Sequence, residues 1–301
     1  MGLLSSAINS ALEGMGRGLM NSGAWMLEGG YRMWQKCCGV TFDYVTISPM
    51  SQTNAWSIVT GSVYSISLAA AASLTVLFFV IGWLRASSDI RNNFQLENMF
   101  RFFIRYAITV GLIVNSLSLI TGIVECATAV VSTLNVYQDT DSVDGIFDDL
   151  KNNLEEEDAD GMTWIGVGCG ALIGGLIGGL TIIVCGISLV LSVLSRLFKM
   201  LLCIPLCAPA FSSFAGGREL SQTGISWLKT FIGYALEAIV IALAILISFG
   251  LFKDANILTS THGTDAVAVI LQICGYCMPM ITACACVKGA EMTVRRCLGL
   301  G

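Results

Sequence analysis

Five apolar segments, at about residues 57–84, 104–134, 163–195, 226–252 and 267–288, constrain this chain more than any other feature. Each exceeds the ~20 residues that a helix needs to cross the hydrocarbon core of a bilayer. Charge supports the same reading. Only 12% of the 301 residues are charged and 55% are hydrophobic, against about 25% charged in a soluble domain. Those few charges cluster between the apolar runs, as loops between spans require. The expected fold is all-α: a polytopic helical membrane protein with about five transmembrane helices. A sixth, shorter segment, Met200–Ala215, contains Pro205 and Pro209 and reads as a further span, a broken helix or a re-entrant hairpin. Trp56, Trp83, Trp164 and Trp227 fall at the ends of expected spans, where an aromatic belt would place them.

Orientation follows from where the basic residues fall. With the N-terminus outside and 200–215 not crossing, eleven Lys and Arg lie inside, among them Arg85, Arg91, Arg101, Arg105, Arg196 and Lys199, against five outside. If 200–215 crosses, the split becomes seven to nine. The positive-inside rule selects five spans, N-out and C-in. Met1–Ser10 carries no basic residue, and no short apolar core with a cleavage site follows it, so insertion is expected to rest on the first span.

The chain then divides into an external amphipathic region (1–56), two spans joined by a basic cytoplasmic connection (57–134), an acidic external loop (135–162) and the remaining spans (163–301). In the first region Leu4, Ile8, Ala11, Leu12, Met15 and Leu19 recur at helical spacing. Such a helix could lie on the membrane, pack on a partner or pack on the chain's own bundle. The loop holds ten acids from Asp139 to Asp160 against the single base Lys151. It reads as a solvated segment, with a cation or partner site as the alternative, and lacks the residue order of a calcium loop.

Three spans carry faces that lipid would penalise. Gly111, Asn115, Ser118, Gly122, Glu125, Ala129 and Ser132 recur at alternating steps of four and three, a single small or polar stripe. Ser226, Thr230, Gly233 and Glu237 do the same in a later span. Gly166, Gly170, Gly174 and Gly178 form repeated GxxxG, which lets backbones approach closely, within one chain or between identical subunits. Glu237 lies near mid-span, where an unpaired charge costs at least ~2.5–3.5 kcal/mol, so it should be neutralised, hydrogen-bonded or hydrated. Glu125 lies nearer a span end.

Nothing in the sequence marks an enzyme, a metal site or a cofactor site. There is no P-loop, HExxH, GxSxG or dinucleotide fingerprint. Cys274-x-x-Cys277 has the spacing of half a zinc site, but no second CxxC or paired histidines accompany it, and the only histidine is His262. Most of the twelve cysteines sit in apolar runs and read as packing residues in a reducing setting; vicinal Cys37–Cys38 is the pair to test for redox behaviour. A chain of this kind is expected to bind or conduct.

One stretch is more specific. Arg196–Ile239 has a basic helix end (Arg196, Lys199) and an apolar segment with Pro205 that runs through Ala208-Pro209 and Ser213-Phe214. A short turn with Gly216, Arg218 and Glu219 follows, then Gly224 and a Trp-x-Lys entry (Trp227, Lys229) into the helix with Gly233 and Glu237. It resembles the TrbL (VirB-six) family, the polytopic inner-membrane component of type IV secretion and conjugation systems, in the form found on conjugative elements of Gram-positive bacteria. Outside this stretch the resemblance rests on layout, and the short acidic loop departs from relatives with a large one.

The resemblance implies a non-enzymatic scaffold or channel subunit for DNA transfer in the bacterial cell membrane. It also implies a homo-oligomer working with other transfer-machine membrane proteins and ATPases, with lipids around it and single-stranded DNA in transit. The basic inner rim suits phosphate, although orientation alone requires the same charges. A stand-alone transporter or channel is the alternative, though no inverted repeat is visible. A toxin or immunity membrane protein is a third reading, supported only by size and hydrophobicity.

Overall fold

The computed structural model describes residues 2–87, 96–134, 160–253 and 266–299. The acidic loop lies almost wholly outside the described residues, as do Arg91 and His262. Among the described residues all regular structure is helical: α1 (Gly2–Thr46), α2 (Thr53–Ile58), α3 (Tyr64–Ser87), α4 (Leu96–Val114), α5 (Ser116–Thr133), α6 (Gly161–Cys203), α7 (Cys207–Ser212), α8 (Ser221–Lys253) and α9 (Ala266–Cys297). Five helical stretches are long and apolar enough to cross a membrane: Thr53–Arg85, Ser116–Thr133, Gly161–Cys203, Ser221–Leu251 and Val267–Cys297. The chain is an all-α, multi-pass membrane protein.

Two boundaries differ from expectation. The apolar run 104–134 is two helices, broken at Asn115 (φ −95°, ψ 11°). There the side-chain amide donates to the Gly111 carbonyl (2.9 Å), which also accepts the Asn115 backbone N–H (3.1 Å). The segment after Met200 is a broken helix. Pro205 lacks the N–H needed to continue α6, and the chain re-forms as the six-residue α7 and a 3₁₀ turn (Ser213–Gly216). Gly217 then reverses it at φ +97°, a left-handed conformation that suits glycine. α7 and the 3₁₀ turn pack on α3 and α4, with the Ser67 hydroxyl bonded to the Pro205 carbonyl. With α7 too short to span, the five candidate spans remain five.

The chain forms two compact units. The first comprises Met1–Asp43, Val136–Ser192 and Ala242–Lys288. Within it α1 runs parallel to α6 at backbone contact. A Cβ added at Gly16 would lie 2.5 Å from the Trp164 carbonyl, and one at Gly30 would lie 2.8 Å from Gly179 Cα. Gly23 meets Ala171 and Leu172 in the same way, and Gly186 meets Cys37. From α6, Gly168 and Gly175 close on Gly16 and Gly23. The amphipathic N-terminal segment therefore packs on the chain's own bundle. Trp164, expected in an interfacial belt, is 2% exposed in this contact, with the Arg17 guanidinium 4.9 Å above its ring. The other side of α6 bares Ile173, Ile177, Leu180, Val184 and Leu191, a continuous face for acyl chains.

The second unit comprises Tyr44–Asn135, Val193–Ile241 and Gly289–Gly301. Its core gathers Ile113, Ile120, Val124, Ile204, Phe211 and Phe231, with neighbours from α3 to α8. Tyr64 Oη and Ser116 Oγ share a 2.7 Å hydrogen bond across it.

Candidate functional site: a charged cluster in the second unit

Three helices each bring a pair of polar residues, one turn apart, to one place. α6 supplies Arg196 and Lys199, α8 supplies Tyr234 and Glu237, and α9 supplies Glu291 and Arg295. The spacings of three or four put both members of each pair on one helix face. Lys199 Nζ pairs with Glu291 Oε2. Glu291 Oε1 also holds Arg295 Nη2 at 3.0 Å, and Arg295 Nη2 donates to Tyr234 Oη at 3.0 Å. The Tyr234 ring lies under both cations, each 5.8 Å from its centroid.

Glu237 and Arg196 sit deeper, 5% and 2% exposed. Each feels the other's charge, yet they form no ion pair. Among the described residues Arg196 Nε and Nη1, Arg295 Nε and Glu237 Oε2 are buried with no hydrogen-bond partner. The cluster holds three cations and two carboxylates. It is open on the side of Lys199 and Arg295, whose side chains are 35% and 43% exposed, and closed at Arg196.

The other motif residues of 196–239 form an aromatic and turn assembly in the same unit. Trp227 stacks on Phe231 (5.4 Å, 10°) and meets Phe211 edge-on (5.4 Å), while Phe214 lies 5.8 Å from Phe211. A Cβ at Gly224 would come within 2.8 Å of Phe214 and 2.9 Å of the Ala210 carbonyl, and its amide donates to Ser213 Oγ at 3.0 Å. Pro209 accepts the Ser212 hydroxyl (2.6 Å). Glu219 pairs with Arg85 at 2.7 Å. Arg218 and Lys229 are exposed.

The stripes are distributed otherwise. On α4 and α5, Gly111, Asn115, Ser118, Glu125, Ala129 and Ser132 are exposed and Gly122 is half-buried. A Cβ at Gly111 or Gly122 would meet nothing within 4 Å among the described residues. On α6 the GxxxG series does not keep to the face that meets α1. Among the described residues a Cβ at Gly166 meets nothing within 4 Å, Gly174 lies against Ile273 of α9, and Gly178 lies against both Leu27 of α1 and Ile273 of α9. At 3.6 residues per turn a four-residue step advances about 40° around the helix. Gly166 to Gly178 therefore winds around α6, while seven-residue steps drift only about 20° and keep to the α1 contact. Gly161, Gly168 and Gly175 on α6, and Gly16, Gly23 and Gly30 on α1, have that seven-residue step.

Sequence spacing alone does not single out Tyr234, Glu291 or Arg295 as partners of Arg196, Lys199 and Glu237. The available signal was Glu291 and Arg295 at i and i+4 near the end of an apolar helix. Among the described residues no group of three or more His, Cys, Asp or Glu is placed to hold a metal ion. Compared with family models, curated proteins and solved structures, the chain finds no match.

Proposed function

We propose that this chain is a non-enzymatic scaffold or channel subunit of a conjugative type IV secretion machine, working as a homo-oligomer in the bacterial cell membrane. One observation carries the oligomer. The polar stripe of α5, with Asn115, Ser118, Glu125 and Ser132, is exposed along a helix apolar enough to span. Asn115 and Ser132 donate to carbonyls of their own helical stretch, but acyl chains offer the Glu125 carboxylate no donor, so a neighbouring subunit or a water-filled passage would cover this face. The transfer-machine assignment draws on the resemblance over Arg196–Ile239. ATPases and further membrane proteins of the machine would supply the energy and complete the conduit, with single-stranded DNA as cargo.

The test has two arms. Benzoylphenylalanine placed at Ser118 should photo-crosslink the full-length protein into dimers and higher species in membranes, while the same probe at the apolar Leu180 should label lipid. Monomers alone from Ser118 would refute the oligomer. Deleting the gene from its element in a donor strain should abolish DNA transfer, with restoration by the wild-type copy; unchanged transfer would refute the machine. A stand-alone transporter or channel is the second reading, favoured by the unpartnered Oε2 of Glu237. Flux in liposomes containing only this protein, abolished by Glu237→Ala, would favour it.

A further inference from the structure

We propose that the cluster of Arg196, Lys199, Tyr234, Glu237, Glu291 and Arg295 is a binding site for the headgroup of an anionic phospholipid whose phosphodiester carries a hydroxyl group, phosphatidylglycerol being the simplest such lipid. The inference starts from the unpaired atoms. Buried polar groups in folded proteins almost always have partners. Among the described residues three N–H donors, Arg196 Nε and Nη1 and Arg295 Nε, and one acceptor, Glu237 Oε2, have none. A ligand that completes the site must accept from guanidinium groups and donate to a carboxylate.

Net charge narrows the choice. Three cations against two carboxyl groups leave at least one positive charge uncompensated, so the ligand is an anion. A phosphodiester is such an anion, and its oxygens match guanidinium donors. It has no hydrogen to offer Glu237, so the donor must be a hydroxyl elsewhere on the headgroup. The opening suits a lipid. Lys199 and Arg295 are partly exposed at the ends of apolar helices, where long basic side chains reach the interface, and Arg196 is buried. Basic pockets between membrane helices on the cytoplasmic side bind lipid headgroups by this chemistry.

The test is a lipid titration of the full chain, delipidated in detergent and read by native mass spectrometry. Phosphatidylglycerol should bind at least tenfold more tightly than phosphatidylcholine and severalfold more tightly than phosphatidic acid, which lacks the hydroxylated arm. Arg196→Gln should abolish the preference over phosphatidylcholine. Arg295→Gln, at the open side, should weaken it severalfold and keeps the test decisive if the first variant does not fold. Glu237→Leu, which removes the acceptor, should bring phosphatidylglycerol down to the level of phosphatidic acid. Equal binding of phosphatidylglycerol and phosphatidylcholine would overturn the proposal, as would wild-type preference in Glu237→Leu. Glycerophosphoglycerol binding as tightly as the intact lipid would show a site for free phosphodiesters and overturn the lipid assignment.

Discussion

Substituting alanine for glycine in α1 should have opposite signs on its two faces. Gly16, Gly23 and Gly30 meet α6 backbone, whereas Gly14 and Gly18 have nothing within 4 Å of a new Cβ among the described residues. At Gly16 the added carbon would sit 2.5 Å from Trp164 carbonyl atoms. Ordinary contact is about 3.5 Å or more, so the helices must part by nearly an ångström. Overpacking of this kind costs about 1–3 kcal/mol, and the gain in helix propensity over glycine returns roughly 0.5–1. The net is roughly 0–2.5 kcal/mol per contact. Gly16→Ala/Gly23→Ala/Gly30→Ala, three contacts along one helix pair that parts as a unit, should then destabilise by about 2–4 kcal/mol, less than three times the largest single cost. Gly14→Ala/Gly18→Ala should stabilise by about 1–2 kcal/mol. The assay is thermal unfolding in detergent, followed by fluorescence of the buried Trp34 and Trp164. If the triple variant melts at or above the wild-type temperature, α1 does not lie on α6 and the account of the first unit fails.

Other outcomes follow from single contacts. Glu291→Gln removes the carboxylate that neutralises both Lys199 and Arg295. The groups are about a third exposed, so the cost should fall between the exposed and buried limits, at about 1–2 kcal/mol by denaturant titration. Trp227→Phe keeps the stacking on Phe231 and deletes an indole N–H buried with no acceptor among the described residues; stability should be unchanged or rise by up to about 1 kcal/mol. Burial pushes the Cys37 and Cys38 thiols above their ordinary 9.0, which keeps them protonated and slow as nucleophiles near neutral pH. Maleimide should label this pair many-fold more slowly than the exposed Cys297 at pH 7.5. Because the folded state holds these protons more tightly, their stabilising contribution is complete below pH 9.0 and fades as pH rises through the folded values. Rapid labelling of Cys38 in native protein would contradict this packing.

Membrane residence, the all-α class and the number of candidate spans were legible in the sequence, because each depends on a sum over twenty or so side chains that bilayer thickness alone demands. The stripe on α5 was equally legible, since periodicity on one helix needs no knowledge of its neighbours. Choosing among the glycine series of α6 was not. Two series compete on that helix, and only the approach of α1 shows that Gly168 and Gly175 are at the contact while Gly166 is free. The break at Asn115 was hidden for a related reason: one residue out of helical geometry (φ −95°, ψ 11°) leaves the apolar run on either side unchanged. The charged cluster depended most on tertiary structure. Arg196, Glu237 and Glu291 lie far apart in the chain, and each alone is an expensive charge in an apolar run. Folding brings three helix faces to one level, which fixes the pairing of Lys199 with Glu291 and leaves Arg196 Nε and Nη1 and Glu237 Oε2 without hydrogen-bond partners among the described residues. One-dimensional spacing determines what each helix carries; the packing of helices decides which of those groups meet.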